Sequence, residues 1–250
     1  MINMVSASSR NPFLSVVIPA FNEEKNVKKL IEQIETVFIN HKINGEIIFV
    51  NDNSTDNTSK IAHELRKIYS NLTVIDRTDG LNGPGRTQRE GFKHVRGKII
   101  ITMDSDLSHD PREIPKFLRA ITTTDIVCGS RYGLEGKAEM SFFRTLISKS
   151  YNFIFKSLLG IPVNDLTSGY RAYRYELIKS LELSSPGFGI YVEIPIKAYL
   201  KGYKFGEVPI YYHPRKKGKS KLSYISQGPE YIKVILHGLL HKTKSAISAT

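Results

Sequence analysis

The feature that most constrains this chain is a rhythm of short apolar runs, each ending in a polar cluster and followed by a segment of helical periodicity. Phe13 to Pro19 is an apolar run short enough for a strand buried on both faces. Asn22 is placed to cap the helix that follows, and Glu23 and Glu24 in its first turn suit the positive helix end. Val27, Leu30, Ile31, Ile34, Val37 and Phe38 then fall on one stripe at the 3.6-residue period. The cycle repeats with a strand at Glu46 to Val50, a cap at Asp56 and a helix face at Ile61, Leu65 and Ile68. Leu72 to Ile75 is a third strand, followed by a glycine-rich turn and a helix through Phe92. Lys98 to Met103 is a fourth strand, Pro111 opens another helix, and Asp125 to Gly129 is a further strand. This alternation predicts an α/β fold, a mostly parallel central sheet with helices on both faces.

Regularity falls away after Arg131, and as far as about Gly189 there are helices without a clean βα alternation. Phe205 to Ile210 reads as a late strand and residues 214–221 as a basic loop. Tyr231, Ile232, Ile235, Leu236, Leu239 and Leu240 recur at helical spacing. The predicted organisation is a flexible tail (1–12), one main domain (13–222), and an amphipathic C-terminal helix and tail (223–250).

At 250 residues the chain is long enough to bury a full core. Cys128 stands alone, so no internal disulfide forms and a reducing, cytoplasmic location is the simpler expectation. No apolar run is long enough to span a bilayer, and Met1 to Pro12 lacks a hydrophobic signal core. A net charge of +12 favours anionic partners: nucleic acid, an anionic membrane face or phosphorylated substrates.

Ligands of open parallel sheets bind outside the carboxyl ends of the strands. Three of those ends are strongly polar here: Pro19 to Glu23, Asn51 to Asp56, and Asp104-Ser105-Asp106. Asp104 and Asp106 offer hard oxygens suited to Mg²⁺ or Mn²⁺, which would neutralise charge on a departing diphosphate. An Asp-rich turn before Pro111 is the plainer alternative. Gly80 to Thr87 nearly spells a phosphate-binding P-loop, but Arg86 replaces the lysine and Pro84 removes a needed backbone N–H. A glycine loop that lets the chain pass close to a nucleotide is the better reading. His109 has no partner histidine at ligand spacing, which favours a structural role, or support of the metal ligands, over direct metal ligation.

Taken in order, Ile18-Pro19-Ala20-Phe21-Asn22-Glu23, Val50-Asn51-Asp52-Asn53-Ser54-Thr55-Asp56 and Met103-Asp104-Ser105-Asp106 resemble the strand-end motifs of family 2 glycosyltransferases, which have the Rossmann-like GT-A fold. Gly129-Ser130-Arg131-Tyr132, Asp165-Leu166-Thr167-Ser168-Gly169-Tyr170-Arg171, and Arg215 with Gly218-Lys219-Ser220-Lys221 narrow the resemblance to dolichol-phosphate mannose synthases and their polyprenyl-phosphate relatives. It covers about residues 13–222.

The resemblance implies that Pro19, Phe21 and Glu23 hold the base and ribose, and that Asp52 accepts from a base N–H with Val50 beside it. Asp104, Ser105 and Asp106 fall to the metal and diphosphate. Arg131, Arg144, Ser148, Arg215 and Lys221 correspond to cationic or hydroxyl positions that hold donor and acceptor phosphates, Arg131, Arg144 and Ser148 on the acceptor side. An arginine fork suits phosphate. Arg131 also ends an apolar strand, where solubility does not explain it, whereas the lysines of 216–221 read equally as a solvated loop. Arg144 and Ser148, an i,i+4 pair, read equally as helix surface. Two departures stand out. Ser108 occupies the place of a frequent glutamine, so metal ligation there passes through water or is lost. Asn51 leaves one anionic group, Asp52, at the base.

A lipid monophosphate is mostly dianionic near neutrality, its second pKa lying near ~6. It needs positioning rather than a strong base, so Asp106 reads as a metal ligand and Arg131 as the group that relieves charge repulsion. The implied reaction inverts the anomeric carbon, moving a sugar, mannose from GDP-mannose on the closest resemblance, to dolichyl or polyprenyl phosphate. A UDP-glucose donor, or a glycan hydroxyl as acceptor, remains the nearest alternative. A nucleic-acid module would leave the strand-end carboxylates unexplained, so no nucleic acid is expected. The implied location is the cytosolic face of a membrane, held peripherally by an anionic surface or a small membrane partner subunit. Residues 223–241 serve that contact or pack on the domain itself.

Overall fold

A computed structural model describes residues 11–132, 135–140, 142–214, 229–236 and 238–240. The expected alternation is present as β1 (Leu14–Ala20), α1 (Val27–Asn40), β2 (Gly45–Asp52), α2 (Thr58–Arg66), β3 (Leu72–Arg77), α3 (Pro84–Lys93) and β4 (Ile99–Thr102). A 3₁₀ turn at Pro111–Glu113 leads into α4 (Ile114–Ala120), followed by β5 (Ile126–Ser130). Beyond lie β6 (Lys137–Ala138), α5 (Phe142–Leu159), β7 (Arg171–Arg174), α6 (Tyr175–Ser180), α7 (Ile190–Leu200), β8 (Phe205–Pro209) and β9 (Tyr211–Tyr212).

Seven strands form the central sheet in the order β3-β2-β1-β4-β7-β5-β8, and β6 pairs with β9 in a separate ribbon. Every pairing in the large sheet is parallel except those of β7, which runs antiparallel to both β4 and β5. This strand was not foreseen, and its geometry shows why. β5 leaves the sheet at its carboxyl edge, and β7 begins at that same edge, with Arg171 opposite Thr102 and Cys128. The chain between them is an excursion that departs from and returns to one edge, so it carries no βα rhythm. Arg171-Ala172-Tyr173-Arg174 also lacks the apolar run that marks the other central strands.

Each sheet face has its own apolar layer. Leu30, Ile31 and Ile34 of α1 are fully buried with Val16, Ile18 and Phe49 on one face. Val17, Ile48, Val50 and Ile100 meet Phe92 and α7 on the other. Burying each such side chain contributes about 1.5–3 kcal/mol.

Of the two predicted caps, one is corrected and one holds. Asn22 does not cap α1. It sits at a left-handed φ of 55°, which Asn tolerates, and its Oδ1 accepts from the Thr55 N–H at 2.7 Å. The helix begins four residues later, after Asn26, whose side chain makes no cap. Glu24 likewise accepts from the Asn57 N–H at 3.1 Å, so these polar residues stitch the loop after β1 to the loop after β2. Asp56 does serve the start of α2, accepting from the Thr58 N–H at 3.0 Å.

Candidate active site

The carboxyl edge of the sheet opens into a cleft of about 400 Å³. The ends of β1, β2, β4 and β5 all deliver side chains to it. Pro19, Phe21, Glu23, Asp52, Asp104, Ser105, Asp106, Arg131 and Ser148 line it together, though they span 130 positions of sequence. Arg215 and Lys221 lie outside the described residues, as does the Arg144 side chain, although Arg144 itself falls in α5.

Asp52 leaves the end of β2 with its carboxylate already oriented. One oxygen pairs with Arg77 from the neighbouring strand, and the other accepts the Gly83 N–H at 2.8 Å. Arg77 is buried and spans to Asp79 at 2.6 Å and to the Leu81 carbonyl at 2.9 Å. This side of the cleft is therefore a fixed frame rather than a lone carboxylate. Val50, two residues earlier, is fully buried in the core layer under α3, where a Cβ on Gly91 would lie 3.2 Å from it. It is not among the residues that line the cleft, and lies one two-residue step of the strand below Asp52.

The glycine-rich loop contributes Asn82, Gly83, Pro84 and Thr87 to the wall. It is no phosphate cradle. The Arg86 N–H donates to the Pro186 carbonyl at 3.1 Å, so protein backbone covers the start of α3. Gly83 has φ 152°, and a Cβ there would come within 2.4 Å of the Pro186 oxygen. Close passage of the 183–187 loop is what these glycines permit.

After β4 the chain makes a tight acidic turn. The Ser105 hydroxyl donates to the Pro19 carbonyl at 2.9 Å, tying the turn to β1. Ser108, fully buried, donates its N–H to Asp106 Oδ1 at 3.0 Å and its hydroxyl to the same oxygen at 2.5 Å. Its hydroxyl thus orients Asp106, and Ser108 is not among the residues that line the cleft. Among the described residues no group of three or more His, Cys, Asp or Glu forms a ready-made metal cage. Two carboxylates at a cleft edge still fit Mg²⁺ or Mn²⁺, which are held through one or two carboxylates with the remaining positions left to phosphate oxygens and water.

Across the cleft, Arg131 follows β5 and is 8 % exposed. Asp165, fully buried, grips it with two parallel bonds, Nε to Oδ2 at 2.7 Å and Nη2 to Oδ1 at 2.9 Å. Nη2 also reaches the Thr167 hydroxyl at 2.7 Å and the Ser148 hydroxyl at 3.4 Å. Burial alone would raise the Asp165 carboxyl pKa, but the charge and hydrogen bonds of Arg131 outweigh it and hold the carboxyl below its ordinary range. Burial likewise disfavours the Arg131 cation, and Asp165 overcomes this and raises the guanidinium pKa. Arg131 is therefore a permanent cation fixed by neighbours that also include the Tyr132 and Tyr212 rings at 5.2 and 5.5 Å.

The remaining wall is aromatic and was missed in the sequence. Tyr151, Phe188, Tyr191 and Tyr231 line the cleft, with Tyr151 and Tyr231 edge to face at 5.4 Å. They come from three separated segments: α5, the chain around the start of α7, and the C-terminal helical residues. Tyr231 belongs to the C-terminal helical residues, whose Tyr231 and Ile235 are buried against the domain while Ile232, Leu236 and Leu240 stay exposed.

An open α/β sheet whose carboxyl edge gathers an Asp-x-Asp turn, a framed aspartate and a gripped arginine defines a glycosyltransferase of the GT-A fold. The model of glycosyl transferase family 2 matches residues 15–182, and the chain belongs to that family. It is 39% identical over 215 residues to a dolichol-phosphate mannosyltransferase of Pyrococcus furiosus, covering 84% of this chain and 59% of that protein. The chain thus spans about three-fifths of that relative's length. It is 32% identical over 216 residues to a polyprenol monophosphomannose synthase of Mycolicibacterium smegmatis, covering 83% of this chain and 80% of the relative. In fold it is similar to the glucosyl-3-phosphoglycerate synthase of Mycobacterium tuberculosis, solved in complex with Mn²⁺, uridine diphosphate and glucosyl-3-phosphoglycerate. The TM-score is 0.68 at 21% identity, covering 91% of this chain and 80% of that one.

Proposed function

We propose that the chain is an inverting transferase that moves mannose from GDP-mannose to dolichyl or polyprenyl phosphate. The observation that carries this reading is Arg131, a buried cation held with the Ser148 and Thr167 hydroxyls across the cleft from the acidic turn. A site that must hold two phosphate-bearing molecules at once needs such a second anion-binding wall. The two curated relatives, named for transfer to dolichol and polyprenol phosphates, support the acceptor class and the sugar.

In this reading Asp52 receives a base N–H, while Pro19, Phe21 and Glu23 enclose the base and ribose. Asp104 and Asp106 would hold a Mg²⁺ or Mn²⁺ ion, which supplies electrostatic stabilisation to the leaving diphosphate. Arg131, Ser148 and, by motif, Arg144 orient the acceptor phosphate, while Arg215 and Lys221 are assigned by motif to the donor. The dianionic phosphate oxygen attacks the anomeric carbon from the face opposite the diphosphate. No side chain has to take a proton, and the protein's task is to hold two anions in line.

The lipid acceptor calls for a membrane. Among the described residues no helix is long and apolar enough to cross one. However, α5, which brings Ser148 and Tyr151 to the cleft, exposes Phe142 and Phe143 at 75% and Phe153 at 73%. With the exposed Ile232, Leu236 and Leu240 and a net charge of +12, this face suits peripheral contact with an anionic membrane on the cytosolic side, or with a small membrane partner subunit.

The test is thermal stability with Mn²⁺ and GDP, UDP, CDP or ADP, followed by transfer assays. GDP is expected to raise the melting temperature of wild type most with Mn²⁺, and far less without metal or in Asp106→Ala, since ligand binding stabilises by mass action. Arg131→Ala is expected to lose transfer to polyprenyl phosphate while keeping the GDP shift. A shift with UDP alone moves the donor to UDP-glucose. Retained lipid-phosphate transfer in Arg131→Ala overturns the assignment of the acceptor wall.

A further inference from the structure

The acidic turn is not self-supporting. β4 ends at Thr102, and the Met103 N–H still bonds to Val17, but the Asp104 N–H points away from the sheet's hydrogen-bond ladder. It donates instead to Nδ1 of His109 at 3.0 Å, closing a loop of six residues around Asp106. Leu107, inside that loop, sits at φ 64°, a left-handed conformation a leucine rarely adopts without being held there.

His109 is itself held on several sides. Its ring is 2 % exposed, stacks on Tyr170 with centroids 4.9 Å apart, and meets the Tyr212 ring edge to face at 5.6 Å. The Tyr170 hydroxyl donates to the Asp110 carbonyl at 3.0 Å, and the His213 N–H donates to the Ser108 carbonyl at 3.0 Å, so the residue before β7 and the chain after β9 both clamp the turn. Because the donor to His109 is a backbone N–H, Nδ1 supplies the lone pair and the ring proton sits on Nε2.

We infer that His109 is a positioning residue for the metal site: its Nδ1 lone pair fixes the Asp104 backbone so that Asp104 and Asp106 present their carboxylates together. The inference rests on the proposed metal role of that pair. The function it assigns is carried by a single acceptor atom at a defined place, which separates it from simple filling of space.

That distinction sets the test. His109→Asn puts Oδ1 where Nδ1 was, whereas His109→Gln carries its oxygen one bond further out and offers nothing at that position. Mn²⁺ affinity is measured on the GDP-bound protein from the spin-resonance signal of free Mn²⁺, alongside GDP affinity without metal and the melting temperature of each variant. His109→Gln is expected to weaken Mn²⁺ binding by roughly 10–100-fold, as removal of groups that orient metal ligands does. His109→Asn should recover most of that loss, and both should keep metal-free GDP binding. Equal Mn²⁺ affinity in His109→Gln and wild type overturns the inference, as does an equal loss in both variants. Wild type is measured first: if it binds no Mn²⁺, the metal reading itself fails. A wild type that binds Mn²⁺ with variants that do not differ sinks only the role of His109.

Discussion

At the residue scale the site depends on buried charges made permanent by their pairing, and Asp165 shows how. It is fully buried, and both its oxygens are committed to Arg131. Removing one partner of such a pair leaves the other charge buried and unpaired, which costs about 3–5 kcal/mol. Asp165→Ala is therefore expected to be destabilised on that scale in urea titrations and to lose lipid-phosphate transfer. The sign of the pH effect follows from the lowered Asp165 pKa. Its contribution is complete above the unfolded value of about 3.9 and is lost as pH falls through the lower folded value. Stability measured from pH 5 downward should accordingly fall less steeply in Asp165→Asn than in wild type. Equal slopes would show that the pair does not govern the acid limb. The sequence exposed the residue types here but not their bonds. Arg131 was legible because a charged residue ending an apolar strand needs a reason. For Ser108 and Val50 the motif fixed position along the chain, but not which way each side chain turns at a strand end.

At the scale of elements, β1 to β5 were legible because burial on both faces writes itself as apolar runs, and α1 because its stripe packs on one sheet face. β7 and the aromatic wall were not, since an excursion that leaves and re-enters one edge answers to the cleft rather than to a repeating period. The glycine loop lies between these cases: its place was readable and its contacts were not. Gly85 is the second residue of α3, and a Cβ there would lie 2.2 Å from the Ser185 oxygen and 2.8 Å from the Gly187 oxygen. Both are backbone atoms that cannot swing aside. The 183–187 loop is pinned behind them, with Glu193 accepting from the Ser185 N–H at 2.8 Å and Glu230 from the Gly187 N–H at 2.9 Å. Gly85→Ala is thus expected to cost about 1–3 kcal/mol by overpacking and to weaken nucleotide binding, because Gly83 of the same loop holds Asp52. Melting temperature and GDP titration check it together. Nucleotide affinity unchanged alongside a lowered melting temperature would show that the loop is structural only.

At the scale of the whole molecule, apolar exposure and charge are two separable contributions to the proposed membrane contact. The apolar part lies on α5, where Phe142 and Phe143 project side chains that no core residue covers, and the electrostatic part comes from the net charge of +12. Anionic headgroups attract each nearby Lys or Arg by about 1 kcal/mol, an attraction confined to about a Debye length and therefore screened by salt. Burial of phenylalanine rings in the acyl boundary is not screened in this way. Sedimentation with vesicles should separate the two. Raising salt from roughly 0.05 M to roughly 0.5 M, which shortens the Debye length severalfold, is expected to release most wild-type protein from anionic vesicles and to leave a salt-resistant remainder. Phe142→Ser with Phe143→Ser should abolish that remainder without lowering the melting temperature, since both rings are 75% exposed and bury little on folding. Transfer to detergent-dispersed polyprenyl phosphate should persist in this double variant while transfer on vesicles falls, because the cleft is intact and only access to the bilayer is lost. If the double variant binds vesicles as wild type does at both salt concentrations, α5 is not the membrane face. The exposed Ile232, Leu236 and Leu240 then become the surface to change.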